Sequence, residues 1–557
     1  MRKSIFFIII FILFTLSKLF AQFRNPLDIP MYLSGGFAEL RSNHFHSGLD
    51  IKTQNVEGFP IFVVADGWVS RIKVSPWGYG NAIYVTHNNG YTSVYAHLSR
   101  YNDLIQQFVE NLEYKKESFA IDYSLQKGEI VLQKGDTIGF TGNSGSSGGP
   151  HLHFELRNTK TQKPLNPLRF PFAIVDTIAP KFKALFIFDD KGVRRFPVNF
   201  AATGYFTSPE TLEVFNNFDF GILTRDVSNG SENPLGINKI SLYENENLVY
   251  EYDNQSFSFS ESRYINSHIW YGMYRKEGIR VQKLWKDYGS RLSVYNLPKK
   301  KGTQFKNKEI VSVLIKIFDV KGNVSHLQFY VKQNLTKKIQ SRFIVKNEHQ
   351  ILMPYNKANH FEQGDLTIDI PKGALYDTII FDYQLIKNEL FLGGGIYHIN
   401  SDTVSLHKKM IVSLNLSDDL KKWGRKLLFV RVKNKKIKNA ISTQIKEGKL
   451  QMRIRRFGDY SLALDTVAPK IKEITKEKTL VLNSSIQFKI SDNLSGITKY
   501  IGRIDKQWVL FRYDPKNNLL WYQIDKRLSK KNTMRHLSLK VLDAAGNISV
   551  LEKDFVY

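Results

Sequence analysis

The segment 148–157, GGPHLHFELR, places two histidines on either side of a single leucine. Its alternation of polar and apolar residues predicts a strand on which His151, His153 and Glu155 point to one face. Two neighbouring imidazoles behind a glycine-rich run, residues 141–149, indicate a metal site. The chain has no cysteine, so imidazole and carboxylate groups are the ligands that such a metal would have.

An upstream segment, RSNHFHSGLDIKT at 41–53, offers partners for this pair. His46 and Asp50 are separated by three residues, and an alternating strand begins close to them. Imidazole and carboxylate are both suitable zinc ligands. His44 stands two residues before His46, so the spacing alone does not decide which of these two histidines is a ligand.

A further candidate comes from the segment GNAIYVTHNNGYTSVYAHLSR at 80–100. Asn89-Gly90 between two β-rich runs predicts a hairpin with a two-residue type I′ turn. Counted outward from that turn, the predicted cross-strand pairs are Asn88–Tyr91, Thr86–Ser93, Tyr84–Tyr95 and Ala82–His97. This register puts His97 on a polar face and His87 on the opposite face. We therefore expect His97 at the site and a structural role for His87.

Together these groups suit metal-assisted hydrolysis. A catalytic zinc ion usually has three protein ligands and one open position for water. His46, Asp50 and one of the two histidines at 151 and 153 would supply the three ligands. The histidine of this pair that is not a ligand would then stand with His97 beside the water and the substrate carbonyl. Imidazole can move protons there near neutral pH. Spacing does not decide which of the two is the ligand.

The combination of motifs resembles the M23 zinc metallopeptidases, the lysostaphin-like peptidoglycan endopeptidases of duplicated hybrid motif fold. The motifs are H-x-x-x-D at 46–50, Y-A-H-L at 95–98 and G-x-S-G-x-x-G-G-P-H-L-H-F-E at 142–155. The resemblance covers roughly residues 25–171. It implies that His46, Asp50 and His153 bind one Zn²⁺. It also implies that His97 and His151 are the catalytic histidines, which position water and stabilise the oxyanion.

The sequence departs from the family between Leu98 and Lys127, where the connection is longer. YNDLIQQFVENLEYKK at 101–116 predicts an amphipathic helix, because its apolar residues recur near the helical period. These residues are Leu104, Ile105, Phe108, Val109 and Leu112. The helical insert, about residues 101–124, either restricts access to the groove or forms a structural cap.

The rest of the chain predicts further β domains with an internal repeat. The repeated segments are DTIAP at 176–180 with DTVAP at 465–469, RDVSNGSENPLGINKISLY at 225–243 with SDNLSGITKYIGR at 491–503, and IFDVKGNVS at 317–325 with VLDAAGNIS at 541–549. Each D-x-x-G-N is typical of a turn between strands.

We therefore predict a mainly β chain, in which an antiparallel-sheet M23 peptidase domain is followed by immunoglobulin-like β-sandwich modules. The predicted divisions are 1–21 for a signal peptide, 22–175 for the peptidase domain, 176–335 for an immunoglobulin-like sandwich with an insertion, 336–464 for a β-sandwich module and 465–557 for another immunoglobulin-like sandwich.

The N-terminus and the charge indicate the compartment. Arg2 and Lys3 precede the apolar run 5–16, and Ala21 offers a cleavage position, as in a signal peptide. We expect export across the inner membrane to the periplasm or cell envelope, the outer membrane included, with no transmembrane segment after cleavage. The 79 Lys and Arg residues against 52 Asp and Glu give a net charge of +27, which favours an anionic neighbour. Export argues against nucleic acid.

The expected function is that of a secreted zinc metalloendopeptidase that hydrolyses peptide bonds in peptidoglycan stem peptides or cross-bridges. Peptidoglycan is then the main partner, and the C-terminal β modules offer surfaces to envelope proteins. The alternative is a zinc-loaded but autoinhibited regulatory protein that activates another cell-wall hydrolase.

Overall fold

A computed structural model describes residues 23–557 except 203, 216, 304–309, 335–349 and 529–531. Within these residues strands far outnumber helices, so the predicted mainly β class is confirmed. The predicted signal peptide, 1–21, lies outside the described residues. In the part of the chain that the structure describes, no helix has the length and apolar composition that a membrane crossing requires.

The described helices are short. The α-helices α1 to α4 are Asp103–Lys115, Ile265–His268, Tyr271–Glu277 and Asp418–Lys421, and 3₁₀ turns span Pro167–Arg169, Ser262–Tyr264 and Gly424–Lys426.

The N-terminal domain is built on two main sheets and a short two-stranded sheet. Its strands β1 to β14 are, in order, Leu33–Gly35, Leu40–Arg41, His44–Phe45, Leu49–Lys52, Pro60–Phe62, Gly67–Val74, Asn81–His87, Tyr91–Leu98, Arg100–Tyr101, Ile121–Ser124, Val131–Leu132, Thr137–Phe140, His151–Asn158 and Pro164–Leu165. The larger sheet has the order β1-β4-β13-β8-β7-β6-β10, with β11 beside β6 and β14 beside β13. Its described strand pairs are antiparallel. The smaller sheet has the order β5-β12-β9, and the two-stranded sheet is β2-β3.

Strand β13 shows the alternation that its sequence predicts. Leu152, Phe154 and Leu156 are completely buried in the hydrophobic core. That burial fixes the register of β13, because a shift by one residue would turn the whole apolar set to the other face. His153 and Glu155 therefore stand on the opposite face of the sheet.

The insert contains helix α1, as predicted. The side-chain oxygen of Asn102 accepts a hydrogen bond from the backbone N–H of Ile105 at 2.9 Å and caps the helix. The residues that pack inward are Ile105, Phe108, Val109 and Leu112. Leu104 is 66% exposed, so its predicted place on the apolar face is wrong. One residue turns an α-helix by about 100°, and Leu104 precedes the buried stripe by one such step.

The next region continues the hydrophobic core of the N-terminal domain. Strands β15 to β25 are Lys181–Asp189, Gly192–Ala201, Gly204–Val214, Asp219–Ser228, Ser231–Leu235, Lys239–Glu244, Asn247–Asp253, Gln282–Lys283, Tyr295–Leu297, Ile310–Phe318 and Val324–Gln333. They follow the order β19-β18-β15-β16-β17-β25-β24-β20-β21-β23, with β22 beside β18 and with β17 parallel to β25. Phe37 and Phe257 join the two regions, with ring centroids 5.5 Å apart.

Two further pairs of sheets follow, each around its own core. Strands β26 to β36 are Gln350–Met353, Asn359–Gln363, Leu366–Ile370, Ile379–Lys387, Leu392–Ile399, Ser405–Asn415, Leu427–Lys433, Lys436–Ile441, Thr443–Lys446, Lys449–Arg456 and Gly458–Leu464. Their sheets have the orders β26-β29-β30-β36-β32-β33 and β27-β28-β31-β35-β34.

Strands β37 to β44, here called the last module, are Lys470–Glu473, Ser485–Ser491, Ile497–Ile504, Gln507–Val509, Arg512–Asp514, Leu519–Gln523, Met534–Asp543 and Ile548–Val556. Its two sheets have the orders β37-β38-β42-β41 and β40-β39-β43-β44. The immunoglobulin-like assignments and the domain boundaries stay predictions.

The repeated D-x-x-G-N segments form turns, as predicted. Asp319 Oδ1 accepts hydrogen bonds from the backbone N–H groups of Gly322 and Asn323 at 2.8 and 2.9 Å. Asp543 Oδ1 accepts the corresponding bond from Asn547 at 2.8 Å. The glycine of each turn has a positive φ, which residues with a side chain rarely adopt.

Candidate metal centre

Three strands of the larger sheet bring the predicted site residues together. Strand β13 pairs with β4 so that His153 lies opposite Asp50, and it pairs with β8 so that His153 lies opposite Ala96. His46 precedes β4 and is 3% exposed. His44 is exposed, so the structure distinguishes the two histidines that spacing left open, and His46 is the one at the site.

The side chains of His46, Asp50 and His153 converge on one point. His46 Nε2 lies 3.0 Å from His153 Nδ1 and 3.1 Å from Asp50 Oδ1. His153 Nδ1 lies 2.9 Å from Asp50 Oδ1. A tetrahedral metal with bonds of about 2.0 Å holds its ligand atoms about 3.3 Å apart. The triangle of donor atoms therefore has nearly the size that zinc requires.

The other ring nitrogen of His46 and of His153 is hydrogen-bonded within the protein. His46 Nδ1 lies 2.8 Å from the carbonyl oxygen of Gly36, and His153 Nε2 lies 2.9 Å from Glu155 Oε1. Each of these nitrogens donates its proton outward, so His46 directs a lone pair to the shared point. Burial would lower the pKa of His153, but hydrogen bonds to Asp50 and Glu155 outweigh burial and raise the pKa to about 9. His153 Nδ1 therefore carries either a proton or a metal cation.

Asp50 is an ionised carboxylate in this setting. Burial would raise its pKa, but the neighbouring imidazoles of His46, His151 and His153 outweigh burial and hold the pKa well below its usual range. Arg41 Nη2 donates to Asp50 Oδ2 at 2.5 Å, which leaves Oδ1 for the shared point. Two imidazole nitrogens and one carboxylate oxygen form a donor set that fits a zinc ion.

A buried polar network holds His153 from behind, centred on the fully buried carboxylate of Glu155. Arg157 Nε donates to Glu155 Oε2 at 2.6 Å, and Ser47 Oγ donates to Glu155 Oε1 at 2.6 Å. The hydroxyl of Tyr79 also donates to Glu155, and the Tyr79 ring stacks on His153 with centroids 5.1 Å apart. Such partners fix the orientation of a metal-binding imidazole.

The predicted catalytic histidines lie side by side next to this point. The ring centroids of His97 and His151 are 4.8 Å apart, and His151 Nε2 lies 3.4 Å from Asp50 Oδ1. His97 Nδ1 lies 2.8 Å from the carbonyl oxygen of Ser144, and His151 Nδ1 lies 2.8 Å from that of Gly149. Both rings therefore donate from Nδ1 and keep Nε2 as an acceptor.

Charge and burial keep His97 neutral. Burial lowers its pKa, and the electrostatic influence of the neighbouring His153 and His151 lowers it further, to about 3. A neutral imidazole can accept a proton, which is the state that a base requires at neutral pH.

The predicted register of the β7–β8 hairpin is wrong by one residue from Thr86 to Ile83, and a bulge between Tyr95 and Leu98 restores it at the Asn81–Leu98 pair. Thr86 pairs with Thr92, and Val85 pairs with Ser93. The connection is a three-residue loop, 88–90, in which Gly90 takes a positive φ, rather than a two-residue turn.

The corrected register changes the reason for the position of His97. Tyr95 points into the main core, so simple alternation would direct His97 the same way. His97 has a φ of 64°, and this left-handed backbone turns its ring to the site. His87 lies away from the site, where its Nε2 is 2.7 Å from Ser93 Oγ.

A cavity of about 450 Å³ opens beside these side chains. The lining residues are Ser34, Arg41, Asp50, Lys52–Asn55, His97, Ser146–His151 and Asn233. The glycine-rich loop, residues 142–149, forms one wall. Among the described residues, the lining contains no residue of helix α1.

The last module contacts both the insert and the glycine-rich loop. Arg512 Nη1 and Nη2 each lie 3.4 Å from a carboxylate oxygen of Glu113 on α1. The Lys516 ammonium donates to the carbonyl oxygens of Asn143 and Ser147, the latter at 3.3 Å. A segment more than 350 residues downstream therefore holds a wall of the cavity.

Sequence reasoning missed several of these residues. Glu155 was placed on the correct face by alternation, but its role behind His153 carried no separate signal. Arg41 and Tyr79 stand in segments without a recognisable pattern, and Lys516 reaches the site through contacts between domains. These residues are found only when the chain is folded.

Comparisons with known proteins indicate the family of the N-terminal domain. The model of peptidase family M23 matches residues 44–113 and 119–167, and a Zu5-like domain model matches 350–465. A DD-carboxypeptidase/endopeptidase, Mpg, of Neisseria meningitidis serogroup B is 33% identical over 129 residues, which are 23% of this chain and 23% of that protein.

Two other proteins are similar to part of this chain. The peptidoglycan DD-endopeptidase ShyA of Vibrio cholerae is 27% identical over 170 residues, which are 29% of this chain and 33% of that protein. The solved structure of the catalytic domain of lysostaphin from Staphylococcus simulans is 25% identical to this chain. The match covers 25% of this chain and 87% of that structure, with a TM-score of 0.18. This chain thus spans about a quarter to a third of the two curated relatives. Its N-terminal domain is a peptidase domain of family M23.

Proposed function

We propose that this chain is a secreted zinc metalloendopeptidase that hydrolyses peptide bonds in peptidoglycan stem peptides or cross-bridges. The observation that carries the proposal is the convergence of His46, Asp50 and His153 beside a cavity that His97 and His151 line. The first three are the proposed zinc ligands, and the other two are the proposed catalytic histidines. The similarity to peptidoglycan DD-endopeptidases supports this class of substrate.

A zinc ion held by these three ligands would supply Lewis acidity, which would make water more acidic and polarise a carbonyl. The protein itself handles the protons. Neutral His97 donates its Nδ1–H to Ser144, so its Nε2 can accept a proton from the attacking water. His151 keeps Nε2 available in the same way, close to Asp50. A proton taken by either imidazole can pass to the amine that leaves.

The charge of the cavity favours an anionic peptide. Lys52 and Arg41 are basic residues of the lining, and Arg41 is paired there with Asp50. Stem peptides of peptidoglycan carry free carboxylates, which Lys52 could bind. The net charge of +27 acts in the same direction over longer distances.

The regulatory alternative requires the insert to close the groove. Helix α1 instead packs between the core and the last module, and its described residues do not line the cavity. We therefore favour the enzyme, located in the periplasm or the cell envelope.

Incubation of the purified chain with peptidoglycan tests the proposal. We expect soluble muropeptides with new free amines, without any added partner. His153→Ala should abolish both cleavage and zinc content, because it removes one of three ligands. His97→Ala should retain zinc and lose cleavage. The matched control is His360→Ala, whose side chain is 60% exposed on another module.

Each result has a defined meaning. Full cleavage by His153→Ala would refute the assignment of the metal site. If the native, zinc-loaded chain does not cleave peptidoglycan by itself and cleavage occurs only after a second hydrolase is added, the regulatory protein is favoured. Cleavage of casein but not of peptidoglycan would retain the metal centre and reject the proposed substrate.

A further inference from the structure

Three carboxylates meet where the last module begins. Asp465 follows strand β36 and opens the repeated DTVAP segment, Asp492 follows β38, and Asp543 ends β43. One ligand atom from each side chain lies within 4.8 Å of the other two. We call this set the aspartate triad. It lies outside the peptidase domain and has no part in the proposed function.

Two side-chain oxygen atoms of the triad lack hydrogen-bond partners among the described residues. Asp465 is completely buried, yet its Oδ1 accepts no hydrogen bond within the described structure. Asp492 Oδ1 is likewise buried and unpartnered. A buried oxygen of an ionised carboxylate without a partner costs several kcal/mol by order of magnitude. These two atoms therefore point to a ligand that is positively charged.

The other triad oxygens are held by neutral donors. Asp465 Oδ2 accepts from the backbone N–H of Ser495 at 3.0 Å, and Asp492 Oδ2 accepts from that of Gly496 at 2.7 Å. Asp543 accepts from the backbone and the side-chain amide of Asn547, both at 2.8 Å. These bonds orient three carboxylates towards one another but do not neutralise their charge.

The first repeat contains the equivalent residues at looser spacing. Asn323 Nδ2 donates to the backbone oxygen of Asp176 at 3.1 Å, as Asn547 Nδ2 donates to that of Asp465 at 3.0 Å. Asp226 is 2% exposed, and its Oδ1 also has no hydrogen-bond partner in the described part of the chain. The arrangement therefore occurs at the start of both repeats, and in the last module its ligand atoms are closest.

The chemistry of the donors selects the ion. Carboxylate oxygens without imidazole suit hard divalent cations, whereas zinc prefers sites with histidine or cysteine. Calcium accepts six to eight oxygen ligands in flexible geometry, whereas magnesium demands a near-ideal octahedron. We propose that Asp465, Asp492 and Asp543 form a calcium site that fastens the linker at 465–469 to the last module.

The position of this site gives it a mechanical role. Asp465 directly follows the preceding module, whereas Asp492 and Asp543 belong to the last one. An ion that binds all three fixes the angle between the two modules. That angle sets how the last module reaches Glu113 and the glycine-rich loop.

Calcium binding to the full chain tests the proposal. The chain is first saturated with zinc, so that the histidine site cannot take the second metal, and calcium is then measured by equilibrium dialysis. Asp492→Asn is compared with Asp554→Asn, a control on the same module whose side chain is 65% exposed. We expect Asp492→Asn to lose one bound calcium per chain and Asp554→Asn to lose none. Any ion bound by the first repeat is common to both variants and cancels.

Thermal unfolding supplies a second measurement, which separates loss of binding from loss of folding. Without calcium, the melting temperature of Asp492→Asn should equal or exceed that of the native chain, because the substitution removes a charge that repels the other two carboxylates. With calcium, the native chain and Asp554→Asn should rise in melting temperature further than Asp492→Asn. Equal calcium stoichiometry in the native chain and a folded Asp492→Asn would overturn the proposal. Absence of calcium binding by the native chain up to about 1 mM, the weak end of known protein sites, would overturn it as well.

Discussion

Replacement of Glu155 by glutamine should weaken zinc binding although Glu155 is not one of the three proposed ligands. Glu155 Oε1 lies 2.9 Å from His153 Nε2 and fixes the ring that directs Nδ1 to the metal. The amide of the substituted glutamine has nearly the shape of the carboxylate but no charge. It also offers an NH₂ group that can face the imidazole N–H, so the ring loses its orientation and part of its basicity.

The size of the effect follows from two separate terms. Loss of a partner behind a metal-binding histidine typically costs 10–100-fold in metal affinity, or about 1.4–2.7 kcal/mol. In addition, Arg157 would lose its carboxylate partner in a buried position, which costs about 3–5 kcal/mol of folding stability. Arg157 lies over the rings of Tyr84 and Phe259, and these contacts remain in the variant. The stability loss should therefore lie at the lower end.

Zinc competition with a chromogenic chelator measures the first term, and urea unfolding of the metal-free chain measures the second. The charge-matched control is Glu129→Gln, an exposed residue remote from the site. The double variant Glu155→Gln/Arg157→Met removes the unpaired charge, so it should recover stability without recovering zinc affinity. If folded Glu155→Gln binds zinc within twofold of the control, the orienting role assigned to Glu155 is wrong.

Three other changes test the surroundings of the site. Gly48→Ala should lower the zinc content and destabilise the fold by about 1–3 kcal/mol, because the added Cβ would lie 2.3 Å from the carbonyl oxygen of Phe154. Metal analysis and urea unfolding measure these two effects, and a native zinc content would contradict the prediction. Lys516→Met should speed hydrogen exchange in the glycine-rich loop and leave the zinc content unchanged. Lys506→Met, at an exposed lysine, should leave the exchange unchanged, and equal exchange in both variants would exclude the contact between Lys516 and the loop. Burial raises the pKa of Glu113 from 4.5 to about 7 despite its arginine partner, so its contribution to stability is full below pH 4.5 and is lost as the pH rises through 7. Glu113→Gln should remove that decline, up to about 3 kcal/mol, from unfolding curves measured between pH 5 and 8; an unchanged pH dependence would contradict the raised pKa.

The structure brings the predicted site residues together, and some of their positions follow from local rules. Alternation along β13 separates His153 from Leu152 and Phe154 without knowledge of any other strand. The pairing of β13 with β4 then brings Asp50 opposite His153. That pairing could not be derived from spacing, and the resemblance to a known family implied only the set of residues that the pairing brings together.

Predictions failed where the backbone leaves regular geometry. The Asn89-Gly90 pair is compatible with both a two-residue and a three-residue loop, and the choice between them shifts the pairs from Thr86 to Ile83 by one residue. His97 reaches the site only because it adopts a positive φ, which alternation does not describe. Strained conformations of this kind collect at functional sites, so local rules fail most readily there.

Contacts between domains lay wholly beyond sequence patterns, and they change how the peptidase domain should be understood. The helical insert is the surface on which the last module rests, through Arg512 and Glu113. Lys516 extends that contact to the wall of the cavity. If calcium fixes the last module through its aspartate triad, occupancy of that site alters the glycine-rich loop and, through the loop, the carbonyl groups that orient His97 and His151. Calcium should then change hydrogen exchange in the loop of the native chain and leave the loop of Lys516→Met unaffected. An identical response in both chains would show that the last module does not transmit the effect through this lysine.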